Sequence, residues 1–548
     1  WKQVLGLEQV GIHDNFFALG GDSILSIQIV ARAQQAGLRF GPDDLFQHRT
    51  IAQLVTVISA RERHAAEQGP TTGLVPLTPI QRWFFEQQPA QPAHFSQSLL
   101  LESRRPLDVA PLTQALQQVV QHHEALGLRF VHSEHGWEQI NAGETAPVSC
   151  RQVDLAALPR FEQRAALEQV AAEAQASLDL EAGPLVRAVL FDLGADQPQR
   201  LLLVIHQLVV DRASWRILLD DLQSAYSQLM HGTTIALRPQ TTAFQRWAEQ
   251  LSTYAQSEAA RAELSYWRQV IDRPRPTLPL DEPSGANSVA SASEITRSLT
   301  ADETRSLLQD VPPVYHTQVD EVLLAALAQG FAAWTGQTTL LLDLEGDGRG
   351  ESLPGVDLSR TIGWLTSIFP VALELPPAAD PGAALRAVKE QLRRVPRRGV
   401  GYGVLRYLSQ DGQIAEQLGS GPGAQISFSY GGQTEPLPAS STFDIVSEMR
   451  GPNVDPQAQR PYLLEISAIV GGGQLRLQWR YGEQIHRRAA IEGFAEHCMA
   501  ALRAIINHCL APEAGGFTPS DFPAARVNQK ELDKLFGMIG KKGGPSRR

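Results

Sequence analysis

The sequence has 548 residues, 43% of them hydrophobic and 20% charged, which is typical of a globular chain with about two to four domains. Its formal net charge of −11 is spread over interspersed acidic and basic residues, which argues against a nucleic-acid-binding protein. It has no signal peptide, no apolar run long enough to cross a bilayer, and three cysteines without metal-ligand or disulfide spacing. We therefore expect a cytoplasmic protein that binds neither metal nor membrane. Because no Met precedes Trp1, we also expect it to be a piece of a longer chain.

The first part of the chain, residues 1–62, is predicted to form a small helical bundle. Helices are expected over about 2–7 and 24–36, and Ile51, Leu54, Val55 and Ile58 have the spacing of one face of another helix. Thr50 is the natural N-cap of that helix. Residues 63–74 lose this periodicity and are predicted to be a linker.

From Val75 onward helices and strands alternate, which predicts two α/β lobes over 75–250 and 251–525. Each lobe has an apolar strand that ends in a titratable residue, His206 in the first and Glu345 in the second. Polar strand ends that face each other across a cleft are typical of small-molecule sites.

Residues 526–548 carry a short apolar stripe followed by basic residues, which predicts either a linker or a docking tail. The stripe consists of Leu532, Leu535, Phe536 and Ile539.

The stretch FALGGDSILSIQIV places two glycines, Asp22 and Ser23 at the start of a helix, a pattern that by itself predicts a turn with an N-cap. In its longer form, LGLEQVGIHDNFFALGGDSILSIQIV, it resembles the peptidyl carrier domain of nonribosomal peptide synthetases over nearly all of residues 1–60. The resemblance implies that a phosphopantetheinyl transferase attaches 4'-phosphopantetheine to Ser23, with Asp22 beside it. A helix N-terminus favours such a phosphodiester. In that family, Asp before the Ser is commonest in carriers that feed an epimerization domain.

Eight further motifs follow in order along the large part of the chain. They are VPLTPIQRWFFEQ (75–87), QHHEALGLRF (121–130), HQLVVDRASWRILLDDL (206–222), LEGDGRGE (344–351), RTIGWLTSIFPVALE (360–374), RRGVGYGVLRYL (397–408), ISFSYGGQ (426–433) and FTPSDFP (517–523). Together they resemble an epimerization domain of a nonribosomal peptide synthetase over about 75–525. The implied fold is a small all-α four-helix carrier bundle followed by a two-lobed α/β domain of chloramphenicol-acetyltransferase-like type, with the carrier docking on the larger domain.

Members of the resembled family invert Cα of a carrier-tethered aminoacyl or peptidyl thioester. This chemistry needs a base, proton return on the opposite face and donors for the developing negative charge on oxygen. The family supplies the second His of HHxxxDG and the Glu of EGHGRE. In this chain His206 matches the first His, Gln207 replaces the second, and Glu345 and Asp211 are retained, with Asp211 mainly structural in the family.

Further departures gather around the same two motifs. Arg212 replaces Gly, Asp347 replaces His, Gly350 replaces Glu, and Ser429 and Gly431 stand for the Asn and Leu of FNYLGQ. Glutamine hydrogen-bonds but cannot serve as a general base. Arg212 is expected to obstruct the channel mouth or change its electrostatics. We also expect the charges of Asp343 and Asp347 to raise the pKa of Glu345.

Several residues have structural interpretations beside functional ones. His206 is either a buried, hydrogen-bonded histidine or a substitute acid–base group, and Glu345 is either catalytic or a carboxylate at a turn. Structural roles are expected for His122, His123, Tyr402 and Tyr430. Asp211 is expected to pair with an arginine, for which Arg349 is a candidate.

Three functional hypotheses follow. The chain is a carrier–epimerization didomain with an eroded amino-acid epimerase site, an inactive relative with a structural or carrier-docking role, or a repurposed condensation- or cyclization-type acyltransferase. The last is weakened because condensation chemistry uses the same missing His. The resemblance implies an upstream adenylation domain, a downstream condensation domain or module, and a role in making an antibiotic or siderophore.

Overall fold

The structure is a computed structural model of the 548-residue chain. It describes residues 1–21, 23–35, 38, 40, 44–45, 48–57, 72–143, 145–274, 276–349, 353, 355–421, 423–434, 441–446, 453–522, 528–532 and 534. Within these ranges, no helix is both long enough and apolar enough to span a bilayer.

The N-terminal part is a helical unit, as the sequence predicts, with α1 (Lys2–Leu5), α2 (Ser23–Gln35) and α3 (Ile51–Val57). The backbone N–H of Gln53 donates to the Thr50 hydroxyl at 3.2 Å, which confirms Thr50 as the cap of α3. Its core is formed by Val4, Phe16, Phe17, Leu25, Ile29, Val30, Phe40, Leu45 and Leu54.

The remaining described residues alternate between helices and strands. The helices are α4 (Pro79–Glu86), α5 (Val109–His122), α6 (Arg160–Ala176), α7 (Arg212–Met230), α8 (Phe244–Tyr254), α9 (Glu258–Arg261), α10 (Leu264–Ile271), α11 (Ala301–Gln309), α12 (Val311–Tyr315), α13 (Val319–Thr335), α14 (Pro381–Leu392), α15 (Val400–Leu408), α16 (Gly412–Gly419) and α17 (Arg488–Leu510). The strands are β1 (Gly73–Val75), β2 (Ser96–Ser103), β3 (Leu128–Ser133), β4 (Gly136–Asn141), β5 (Cys150–Asp154), β6 (Val186–Asp192), β7 (Arg200–His206), β8 (Ala292–Ser298), β9 (Thr339–Gly346), β10 (Ser367–Glu374), β11 (Ile426–Thr434), β12 (Phe443–Val446), β13 (Leu464–Gly471) and β14 (Gln474–Gly482).

The first lobe is built on a five-stranded sheet with the order β12-β2-β7-β6-β5, next to a three-stranded sheet, β1-β4-β3. Strand β7 lies between β2 and β6, and its apolar residues are buried on both faces. Helices α5 and α7 share a hydrophobic core with one face of the sheet, and α6 packs on the other. The candidate site begins at the end of β7, where the chain leaves the sheet that is buried on both faces.

The second lobe contains a six-stranded sheet with the order β10-β9-β11-β13-β14-β8. Its main core includes residues of α13 and α17, which pack against each other. Strands β9 and β11 run parallel, with Ser429 opposite Glu345, and β10 runs antiparallel to β9, with Ile368 opposite Glu345. This register fixes the surroundings of Glu345.

The two expected lobes are present, but they are not two consecutive segments. Strand β12, from the second half of the chain, pairs with β2 and completes the first-lobe sheet. Leu358 and Trp364 are likewise buried in the first-lobe core. The division into 75–250 and 251–525 therefore does not describe the packing, because β2 has β12 as its outer partner and would otherwise be an exposed edge.

The two connecting regions are described only in part. Gly73 and Leu74, expected in the linker, pair with β4 as part of β1. Residues 63–71 lie outside the described residues, as do Leu535, Phe536 and Ile539 of the tail. Leu532 is described and is buried.

Candidate active site and carrier contact

His206, at the end of β7, is fully buried and uses both ring nitrogens. Its Nε2–H donates to the carbonyl of Pro92 at 2.8 Å, and its Nδ1 accepts the N–H of Leu208 at 3.2 Å. Burial lowers the pKa of His206 to about 4, so the ring is neutral near pH 7. These contacts favour the structural interpretation of His206.

Gln207 follows directly and begins a short 3-10 turn, Gln207–Val209. Its backbone N–H donates to the carbonyl of Phe95 at 2.9 Å, which holds the turn against the strand before β2. The side chain is half-buried, and its amide has no hydrogen bond to any residue that the structure describes. A group without a titratable proton thus occupies the position of the expected base.

Asp211 caps α7 and lies in a buried ion pair. One oxygen accepts the N–H of Ser214 at 2.7 Å, and both accept from Arg349 Nη2, at 2.9 and 3.0 Å. Arg349 also donates to the carbonyl of Leu358 at 2.7 Å. The contacts tie the N-terminus of α7 to the segment after β9 and fit the structural role that was expected of Asp211.

Glu345 lies near the end of β9 on the face that is open to the cleft. Solvent reaches its side chain, although protein surrounds it at longer range. Loss of bulk water raises the pKa of Glu345 above its ordinary value, Arg212 opposes this shift, and the charges of Asp211 and Glu465 add to it. A carboxyl with a raised pKa suits proton transfer.

The raised pKa of Glu345 was expected, but its expected cause was wrong. Asp343 accepts a hydrogen bond from the Tyr462 hydroxyl at 2.9 Å, and burial raises its own pKa to about 6. Asp347 accepts the N–H of Arg349 at 3.0 Å and stabilises the loop. Proximity in sequence did not identify the charges that act on Glu345, because two of them come from the motif 206–222 and one from β13.

Arg212 and Gly431, two departures from the family pattern, fit each other. Arg212 Nη1 donates to the carbonyl of Gly431 at 3.2 Å. A Cβ atom on residue 431 would lie 1.6 Å from that nitrogen, so a larger residue there requires the Arg212 side chain to move. The positive charge of Arg212 also acts on Glu345. The sequence showed each departure separately and gave no signal that they touch.

The helical unit contacts the second lobe at β11, close to this pair. Gln433 Nε2 donates to the carbonyl of Gly20 at 2.7 Å, and α2 lies against β11. At a second point, the charges of Glu321 and Asp521 act on Arg49 of the helical unit. The sequence did not identify these residues as contacts.

The start of α2 fits a phosphopantetheine attachment. Ser23 is the first residue of this helix of 13 residues, whose N-terminus favours a phosphodiester. A Cβ on Gly21 would lie 2.5 Å from the Phe16 ring, so the turn before the helix requires a glycine. Asp22 lies outside the described residues, as does the side chain of Ser23.

The other residues considered from the sequence lie in structural networks. His123 Nε2 is 2.8 Å from Asp221, which Arg360 holds at 2.5 Å, and His122 Nε2 lies 2.9 Å from the carbonyl of Arg238. These two histidines and Asp221 lie close together, but the arginine already neutralises the carboxylate. Elsewhere, the Tyr402 hydroxyl donates to the carbonyl of Leu418 at 3.3 Å. Tyr430 is half-buried at the β-bulge of β11.

Two family models match the chain, "Phosphopantetheine attachment site" over residues 1–58 and "Condensation domain" over 71–526. The chain is 49% identical over 548 residues to one of the subunits of the linear gramicidin synthase of Brevibacillus parabrevis, covering 98% of this chain and 7% of that protein. It is 45% identical over 546 residues to chondramide synthase cmdD of Chondromyces crocatus, covering 98% of this chain and 14% of that protein. It therefore spans only a small part of these relatives.

Among solved structures, the epimerization domain from the third module of tyrocidine synthetase B superposes with a TM-score of 0.76 at 34% identity. That match covers 81% of this chain and all of the other. The phosphopantetheine attachment domain means that the cofactor is a covalently bound 4'-phosphopantetheine. The chain belongs to the condensation-domain family and is a carrier plus epimerization-type unit of a nonribosomal peptide synthetase.

Proposed function

We propose that Ser23 carries an aminoacyl or peptidyl thioester and that the large domain receives it at Glu345 for Cα epimerization, L to D, at a strongly reduced rate. When bound, 4'-phosphopantetheine supplies a flexible arm that ends in the thiol of the thioester. The observation that carries the proposal is that the chain retains a solvent-exposed Glu345 with a raised pKa but has Gln207, which cannot titrate, at the position of the expected base.

The described residues supply half of the required proton chemistry. Glu345 can take or return the Cα proton, and the nearby Arg212 guanidinium offers a positive charge for the developing negative charge on the thioester oxygen. Inversion also requires proton transfer on the opposite face, where Gln207 cannot act. Because one well-placed acid–base group contributes about 10²–10⁴-fold, the expected loss is of that size.

A second candidate function, a receiving domain that leaves the configuration unchanged, is favoured by one observation. Arg212 fills the space beside Gly431 and lies near Glu345, so the altered residues form a consistent arrangement rather than a set of unrelated losses. In this function the domain would bind or space the loaded carrier. No described feature favours acyl transfer, which would depend on a base at position 207.

The partners proposed for this unit are a phosphopantetheinyl transferase, an upstream adenylation domain and a downstream condensation domain or module. These partners are proposed from the family alone, because the chain covers only a small part of its relatives and does not itself contain them.

The decisive experiment loads Ser23 with an aminoacyl- or peptidyl-pantetheine in D2O and follows deuterium at Cα together with the product's configuration. Slow exchange that is lost in Glu345→Gln, and accelerated in a Gln207→His and Arg212→Gly double variant, is the expected result. Glu374→Gln serves as a matched control, because Glu374 is an exposed carboxylate at the far end of β10. Complete absence of exchange in the unmodified sequence would support the receiving-domain function instead.

A further inference from the structure

A cavity opens between the two lobes, next to the neighbours of Glu345 on β9 and β10. Its lining includes Trp83, Trp247, Trp364, Leu341, Ile368 and Tyr402. Apolar and aromatic side chains are the usual lining of small-molecule pockets. The lining extends along β9 to Leu341, four residues from Glu345, or about 13 Å at about 3.3 Å per residue, which is farther than one amino-acid side chain reaches.

Three of the sequence motifs that have no role in proton transfer converge on this cavity. Trp83 comes from the motif 75–87, Trp364 and Ile368 from 360–374, and Tyr402 from 397–408. The first two tryptophans meet edge to face, with ring centroids 6.5 Å apart. The aromatic wall is therefore shared by both lobes.

The strand register places the cavity next to the reacting position. Leu341, Asp343 and Glu345 alternate along β9 and so lie on one face of the sheet. Leu341 and Asp343 line the cavity, and so does Ile368, the residue directly opposite Glu345 on β10. The cavity thus begins at the immediate neighbours of Glu345.

The same register places the carrier on the other side of Glu345. Strands β9 and β11 are parallel with Ser429 opposite Glu345, and Gln433 follows in the C-terminal direction, beyond a register shift between Tyr430 and Gln433. Leu341 lies four residues from Glu345 in the N-terminal direction. Because Gln433 contacts Gly20, the carrier meets β11 past Glu345 in the C-terminal direction, whereas the cavity lies toward the N-terminal part of β9.

The charged groups in the lining are already engaged within the protein. Asp343 accepts the Tyr462 hydroxyl at 2.9 Å, and Arg406 donates to Glu86 at 2.9 and 3.0 Å. Neither is left to balance a charged ligand. The half-buried polar side chains of Thr366 and Ser367 in the lining suit the amides of a neutral chain.

Building on the proposed function, we infer that this cavity binds the apolar upstream part of a peptidyl thioester, so that the substrate of the large domain is a peptidyl rather than an aminoacyl group. An arm that enters from the carrier side places the thioester at Glu345, and the rest of the chain continues into the aromatic space. The lining then selects apolar residues at the positions before the tethered one.

The test measures binding rather than turnover. The full chain without its cofactor is titrated calorimetrically with three stable pantetheine amides, which carry N-acetyl-Phe alone, an N-acetyl tetrapeptide of Leu and Phe, or one of Ser and Asp. We expect the apolar tetrapeptide to bind at least about tenfold more tightly than either of the others, because two or three further apolar side chains are buried. Equal affinity for the single residue and the apolar tetrapeptide would overturn the inference.

Two further measurements locate the binding. Trp83→Ala should abolish the preference for the apolar tetrapeptide, whereas Trp137→Ala, a half-buried tryptophan outside the lining, should retain it. Because Trp83→Ala could fail to fold, the unmodified chain is also photocrosslinked to a tetrapeptide with one Phe replaced by benzoylphenylalanine. Crosslinks should map to the cavity lining, and crosslinks elsewhere contradict the inference. Loss of Cα exchange with tight apolar binding would refute only the proposed function, and exchange without the binding preference would refute only this inference.

Discussion

At the scale of single residues, Arg212 and Gly431 are two departures from the family pattern that depend on each other. The guanidinium occupies the volume in which a side chain on residue 431 would stand, and it is held there by the Gly431 carbonyl. Reversing one partner alone therefore disturbs the packing, whereas reversing both restores a side chain at 431 and an empty position at 212. The positive charge of Arg212 in this pair also acts on Glu345.

The first prediction concerns this pair. We expect Gly431→Leu to lower the free energy of unfolding by no more than about 1 kcal/mol, because the clashing nitrogen is the end of the flexible Arg212 side chain, which must move away. In an Arg212→Gly background the same change should cost much less, so a double-mutant cycle by urea unfolding should show a positive coupling. Gly493→Leu is the control, because a Cβ on Gly493 meets no atom within 4 Å. Additive effects would contradict the contact.

His206 gives a second residue-scale prediction, for the dependence of stability on pH. Its pKa is lowered to about 4 in the folded chain, so between about pH 6.5 and 4 the unfolded chain binds a proton that the folded chain does not. Stability should therefore fall as the pH falls through this window, by up to about 3 kcal/mol at about 1.4 kcal/mol per pKa unit. His206→Gln, measured by urea unfolding at several pH values, should show a shallower decline than the unmodified chain. The exposed His135→Gln should leave the decline unchanged.

At the scale of elements, β11 connects three parts of the molecule. Phe428 is buried in the second-lobe core, Gly431 receives Arg212 at the cleft, and Gln433 receives the helical unit. Alternation along the strand separates the core residue from the cleft-facing residues, and the register shift between Tyr430 and Gln433 changes the strand's path before the carrier contact. The contact with the helical unit and the candidate active-site cleft therefore share one strand.

The third prediction tests the carrier contact. Gln433→Ala removes the donor to the Gly20 carbonyl, a bond of 2.7 Å, and should loosen the carrier on β11. We expect ¹⁵N relaxation of carrier amides to show faster, more independent tumbling in this variant. Gln474→Ala, at an exposed position at the start of β14, is the matched control and should show no change. Unaltered carrier relaxation in Gln433→Ala would mean that this contact does not hold the carrier.

The individual elements were largely predictable, whereas the contacts between distant elements were not. Apolar runs placed the ends of β7 and β9 to within one residue, because a continuous apolar run is typical of a buried strand. The motifs alone singled out Glu345 and Gln207, and the roles assigned to them stay predictions. The Arg212–Gly431 fit and the pairing of β12 with β2 join residues more than 200 positions apart, and neither has a local sequence signal.

At the scale of the whole molecule, the lobes depend on each other. Besides β12, the buried Arg349–Asp211 pair and the Arg406–Glu86 pair cross from one lobe to the other. Removing Arg349 would leave the Asp211 carboxylate buried without its cation, a change that costs about 3–5 kcal/mol in such pairs. The contacts that join the two lobes at the cleft therefore also stabilise the fold.

The last prediction uses β12 to test this dependence. Phe443, on β12, is 1% exposed and lies in the first-lobe core, although it follows most of the second lobe in sequence. Phe443→Ala should lower the free energy of unfolding by about 3–5 kcal/mol, whereas Ile445→Ala, on the same strand but 52% exposed, should change it by no more than about 0.5 kcal/mol. Because the chain has nine tryptophans, urea unfolding would be followed by ¹⁹F NMR after 5-fluorotryptophan labelling, using the separate signals of Trp247 in the first-lobe core and Trp267 in the second. Because the first-lobe sheet is complete only with a strand from the second half of the chain, both probes should shift together in Phe443→Ala. A shift confined to Trp247 would show that the second lobe remains folded when the first is lost, and the cleft would then join two independent units.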